Sequence, residues 1–76
     1  NNSVDSDHKI YVQTPIGAPV YWNGQLMGTA PVNFTKQVGS YTISLAADGY
    51  ETVSYPVIIA DDGDDIYLNF PNLTQK

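Results

Sequence analysis

Glycine and proline set the terms on which this chain can fold. They fall at positions 15, 17, 19, 24, 28, 31, 39, 49, 56, 63 and 71 of 76. The longest stretches left between them are residues 1–14 and 40–48. A globular helix needs roughly 8–12 uninterrupted residues, so helices have almost no room. Residue choice points the same way: Val, Ile, Thr, Tyr, Phe and Trp supply 28 residues, against 18 from Ala, Leu, Glu, Lys, Gln, Arg and Met. Phase decides the matter. Tyr41, Ile43 and Leu45 alternate with Ser40, Thr42 and Ser44, which is the period of a half-buried strand. A chain of this length holds one domain with a modest core, and the prediction is all-β.

Alternation and turn chemistry then place the strands. Ile10 and Val12 share a face in a first strand near residues 8–14, and Val20 with Trp22 in a second. Asn23-Gly24 tolerates positive φ at both turn positions and predicts a two-residue hairpin into a short strand, Gln25 to Met27. Val32 and Phe34 mark a fourth strand, and residues 40–47 a fifth, ending at a second hairpin signal, Asp48-Gly49. The sixth, residues 50–59, carries Val53, Tyr55, Val57 and Ile59 in phase. Pro56 lacks a ladder donor and marks that strand as an edge or a bulge. The Asp61–Asp65 loop leads to a last strand with Ile66, Leu68 and Phe70 inward. About seven short strands with turns every 8–12 residues describe a small two-sheet antiparallel sandwich. Residues 1–7 read as a flexible polar tether, 8–71 as the folded domain and 72–76 as a C-terminal tail.

Charge narrows the partners. Eight Asp or Glu stand against Lys9, Lys36 and Lys76, with no Arg, for a net charge of −5. Nucleic-acid binding needs several cations on phosphates and Arg for base contacts, and anionic membranes need a basic cluster. Both are excluded as expected partners. No apolar run approaches the roughly 20 residues of a membrane span. Cysteine is absent, which removes disulfides, thiolate metal sites and Cys nucleophiles. Low charge with much Asn, Ser, Thr and Tyr fits an exported domain. The first residue is Asn rather than Met, as expected for a processed product or an excised piece.

The run Pro15-Ile16-Gly17-Ala18, then Val20, Asn23-Gly24 and Gly28-Thr29-Ala30-Pro31, resembles the PEGA domain family. The likeness continues through Gly39-Ser40-Tyr41-Thr42-Ile43 and Asp48-Gly49-Tyr50, so that it spans roughly residues 13–70. The family's namesake tetrad has Glu where this chain has Ile16, which argues against a polar role at that site rather than against the fold. The residue types carry folding signals rather than chemistry. Pro15 suits a bend at a strand end, Gly17 permits a backbone closed to residues with Cβ, and Ala18 and Ala30 precede Pro and are pushed toward extended backbone. The resemblance implies a small β-sandwich module of exported bacterial and archaeal proteins, such as surface-layer proteins, lipoproteins and the outer parts of membrane-bound sensors. It implies a structural or adhesive role and assigns no catalytic residue.

Four features merit weighing as sites. His8, the only histidine, sits beside Asp5 and Asp7 in a polar stretch, a poor frame for a triad. A paired-carboxylate hydrolase would need a cleft that so small a sandwich lacks room for. No enzyme activity and no cofactor are expected. Asp61, Asp62, Asp64 and Asp65 around Gly63 offer oxygen ligands for Ca²⁺, but their spacing departs from the alternating Ca²⁺ loop signature. A charged turn that discourages edge aggregation is the preferred reading. Tyr11, Tyr21 and Tyr67 fall on the phase opposite their apolar neighbours, and a shared sheet would make them an exposed aromatic stripe. Ordinary strand tyrosines with wet hydroxyls are the plainer account. Asn1-Asn2-Ser3, Asn33-Phe34-Thr35 and Asn72-Leu73-Thr74 match a glycosylation acceptor, a pattern that chance supplies readily in an Asn- and Thr-rich chain.

The expectation is therefore a non-catalytic, extracytoplasmic structural or interaction module of a surface protein or lipoprotein, in the periplasm or at the cell surface. Its partner would be a protein or a cell-envelope polysaccharide, and a lipid-modified Cys just upstream of Asn1 would suit it. The alternative is a carbohydrate- or cell-wall-binding module using exposed Tyr or Trp22. An open edge strand offers a further route to a partner, by strand addition.

Overall fold

The computed structural model describes residues 3–76. Six strands follow one another: β1 (Ser3–Thr14), β2 (Pro19–Trp22), β3 (Gln25–Thr29), β4 (Val32–Leu45), β5 (Val53–Ile59) and β6 (Ile66–Asn69). No helix interrupts them among the described residues. β4 belongs to two sheets. Its first half, Val32–Val38, lies antiparallel to β1, and its second, Gly39–Leu45, lies between β2 and β5. β3 flanks β2, and β6 flanks β1. The all-β sandwich expected from the sequence is the fold, with six strands where about seven were counted.

The missing strand is a merger at Gly39. From the sequence, Val32 and Phe34 mark one strand and residues 40–47 another. The chain instead continues through Gly39, at φ +136°, and passes from one sheet to the other without reversing. Sandwich corners form in this way, where a strand bends and changes partners. One ladder departs from the antiparallel expectation: β1 and β6 run parallel, with Ile10 opposite Ile66 and Tyr11 opposite Tyr67.

The inward phases expected for the other strands meet in a single core, while β3 carries no fully buried residue. Ile10, Val12, Val20, Trp22, Phe34, Tyr41, Ile43, Leu45 and Ile59 are buried, and Val53, Tyr55, Val57, Ile66, Leu68 and Phe70 pack against them. Each buried aliphatic or aromatic side chain contributes roughly 1.5–3 kcal/mol. Trp22 joins the sheets. Its ring meets Phe34 edge-on at 5.1 Å and stacks on Tyr41 at 4.4 Å, one from each half of β4. The indole Nε1 is buried without an acceptor. Tyr41 resolves the same problem by donating its hydroxyl to the Val38 carbonyl, 3.0 Å away.

Asn23 and Gly24 have φ of 47° and 85°, the doubly positive geometry of a tight hairpin turn. Asn23 also receives the Thr42 amide on its side-chain oxygen at 2.8 Å and donates its own amide to the Thr42 carbonyl at 2.9 Å. Both backbone groups of Thr42 thus face β2, away from its β5 partner Pro56. Pro56 therefore points its missing donor outward. The ladder loses nothing, and the free edge of β5 loses a hydrogen-bond donor that a stray strand would use.

Both chain ends differ from the expected frayed segments. Over Ser3–Asp7 the expected tether is strand, with Ser3, Val4 and Asp5 opposite Val38, Gln37 and Lys36. Asn1 and Asn2 lie outside the described residues, and with them the start of the first glycosylation pattern. Residues 72–76 are tied back. The Glu51 amide donates to the Thr74 carbonyl at 2.7 Å, the Lys76 amide to the Gly49 carbonyl at 3.0 Å, and Tyr50 bridges Gln75. Those contacts engage Gly49, Tyr50 and Glu51, and the strand expected from residue 50 begins at Val53.

Candidate functional site

The acidic turn is organised by a residue that sequence reading passed over. Lys36 is fully buried, the one charged side chain in the interior among the described residues. Its Nζ donates to Asp62 Oδ1 at 2.6 Å and to the Asp64 carbonyl at 2.7 Å. Asp62 Oδ1 also accepts the Asp64 amide at 3.1 Å, while Asp65 Oδ1 accepts the Lys9 amide at 2.9 Å. A buried cation without such partners would be strongly unfavourable, so the turn acts as a lid on the ammonium. The Lys36 hydrogen bond, helped by the Asp64 amide, holds the Asp62 carboxyl below the usual carboxylate range.

This arrangement divides the four candidate Ca²⁺ ligands. Asp62 and Asp65 are spent on Lys36 and on the β1 backbone, and Asp61 and Asp64 are exposed. Among the described residues, no three His, Asp or Glu side chains converge as a cation site would require. The signal for Lys36 was present in the sequence. It follows Val32 and Phe34 in the same phase, which places it on the inner face.

His8 sits across the same end of the sheet, in a wide bulge. Asp5 pairs with Lys36 and Lys9 with Thr35, so Ser6, Asp7 and His8 are extra residues on β1. Asp5 holds the bulge closed. One oxygen accepts the Asp7 amide at 3.2 Å, and the other lies 2.9 Å from His8 Nδ1. The imidazole is thus engaged by its near neighbour three residues back.

The three candidate tyrosines separate into two places. Tyr11 and Tyr67 are register partners on β1 and β6, and their rings stack at 4.9 Å with planes 10° apart. That distance matches the spacing of adjacent strands. Tyr21 lies on β2 in the other sheet, so no continuous stripe forms. Each stacked ring covers a face of the other, which is unlike the side-by-side platform a sugar ring would lie across.

A second cluster collects at the far end of β1, where sequence reading found only turn signals. The two motif segments zip together there: the Gly17 amide donates to the Ala30 carbonyl at 2.8 Å, and the Ala30 amide to the Ala18 carbonyl at 2.9 Å. Gly17, at φ +89°, makes the turn possible. Ile16 is left 79% exposed. Beside it a groove of about 400 Å³ runs between Pro15, Ala18, Ala47, Tyr50 and Leu73. A neighbouring hollow of about 470 Å³ shares Gly17, Ala47 and Tyr50 and adds Tyr21 and Lys76. Tyr50, 40% exposed, lines both.

Six strands in two sheets around one small core place the chain among small all-β sandwich domains. A family model of the PEGA domain matches residues 8–72, and the chain belongs to that family. PEGA domains are usually extracellular or periplasmic domains of surface proteins. No curated protein and no solved structure matches the chain significantly. Among the described residues, no helix is long and apolar enough to cross a membrane.

Proposed function

We propose that the chain is a non-catalytic structural or interaction module of a bacterial or archaeal surface protein or lipoprotein, making contact through the loop end. The observation that carries this reading is the exposure of Ile16 and Tyr50 in the lining of an open groove. Apolar surface of this kind, gathered on loops that a rigid sandwich holds in place, suits contact with another macromolecule. The non-catalytic part of this reading is supported by Lys36, whose ammonium is sealed under the acidic turn and is not free to act as acid, base or nucleophile. The partner on this reading is a protein or a cell-envelope polysaccharide.

The carbohydrate alternative rests on Tyr21 and Tyr50, which line one hollow, rather than on a three-tyrosine stripe. An NMR titration distinguishes the readings. Peptidoglycan fragments or surface polysaccharide that shift Tyr21 and Tyr50 support the alternative. Shifts at Ile16, Ala47 and Leu73 with a neighbouring domain of the parent protein support the main reading. A series of both ligands that moves no resonance at the loop end would refute contact through it.

A further inference from the structure

A Cys-free domain of this size has no disulfide to brace it, although small scaffolds commonly need such a staple. One pair of side chains is placed to supply a different covalent brace. Tyr11 and Tyr67 stand on neighbouring strands, ring against ring at 4.9 Å and only 10° from parallel. Among the described residues they are the one stack of two tyrosines, since Tyr41 stacks on Trp22 and Tyr55 on Phe70. Tyr67 is 58% exposed, so an oxidant reaches it, whereas Tyr41 is buried. β6 is a short edge strand paired with β1 alone. A bond between these rings would tie that edge to the middle of its sheet across 56 residues of chain.

We infer that Tyr11 and Tyr67 form a site of intramolecular oxidative coupling, with hydrogen peroxide acting through a haem peroxidase as the oxidant class. Each phenol gives up one electron and its phenolic proton, which leaves a radical delocalised onto the carbons beside the hydroxyl-bearing carbon. The two unpaired electrons pair in a new carbon–carbon bond between those positions. The hydrogens displaced from the bonded carbons move to the oxygens as the rings regain aromaticity. One peroxide takes up the two electrons and two protons and becomes two waters, so the product is the folded chain less two hydrogen atoms. Fixed register makes the second ring the nearest trap for a radical on the first, the usual advantage of holding reactants side by side.

The test treats dilute purified chain with a peroxidase and limiting peroxide. The expected product is a monomer lighter by two hydrogens, with dityrosine fluorescence, whose peptide map joins Tyr11 to Tyr67. Its thermal midpoint rises by roughly several degrees, as closing a long loop predicts. Tyr11→Phe and Tyr67→Phe keep the stacked ring and the fold but lose the product, while Tyr50→Phe retains it. Absence of coupling, a product dominated by dimers, a bond mapped to another pair, or an undiminished yield in Tyr11→Phe would each overturn the inference.

Discussion

The two ends of β1 handle exposed chemistry in opposite ways. Near Asp5–Lys9, charges close on one another: Asp62 and the Asp64 carbonyl cap Lys36, Asp65 takes the Lys9 amide, and Asp5 holds His8. Beyond Thr14, backbone hydrogen bonds do the joining, and Ile16 and Tyr50 are left facing water. The difference separates what stabilises the module from what it presents. Lys36 and the residues that look functional in the sequence, Asp62, Asp65 and the Asp5–His8 pair, are engaged in holding the fold. Apolar loop residues, which look like turn filler, form the free surface.

The largest effect should come from the charged end. Lys36→Ala removes a fully buried side chain and leaves the acidic turn without its cation, at an expected loss of about 3 kcal/mol in urea unfolding. Lys36→Met keeps the volume and drops the charge, and should recover most of that loss. If Lys36→Ala costs less than about 1 kcal/mol, the contrast between the ends collapses. Next comes the corner between the sheets. Gly39→Val places a branched side chain at φ +136° and should cost about 2 kcal/mol, read as a lower denaturant midpoint.

Acid sharpens the contrast further. The folded-state pKa of Asp62 is depressed, so its contribution is complete above the unfolded carboxylate range and is lost as pH falls through the folded value. Stability should therefore drop below about pH 4, and Lys36→Met should flatten that dependence. Thermal midpoints across the acid range provide the check. The smallest effect belongs to the loop end: Ile16→Glu should change stability by no more than about 0.5 kcal/mol while altering any contact made there. A large destabilisation would show that Ile16 supports the fold instead.

What the sequence revealed follows a physical line. Phase within a strand is local, so the inward sets from Ile10 and Val12 through Ile66 and Leu68 were legible. Which strands share a sheet is not local, and Tyr11, Tyr21 and Tyr67 were grouped by face although two sheets carry them. Gly39 has the composition of a turn and the geometry of a bend within a strand. The C-terminal segment is held by main-chain bonds to Gly49 and Glu51, which leave no side-chain signature. Lys36 sat in the inward phase all along, but a lysine is ordinarily read as solvated. Only the turn arriving from Asp61–Asp65 reveals its counter-charge.

The lid on Lys36 can be observed directly through the ammonium protons of the three lysines by nitrogen-detected or heteronuclear NMR near neutral pH. Burial and hydrogen bonding to Asp62 and Asp64 should give one slowly exchanging ammonium signal, assigned to Lys36 and lost in Asp62→Ala. Three ammonium groups exchanging at the rate of free lysine would contradict the lid, and with it the division between a self-satisfied end and a presenting one.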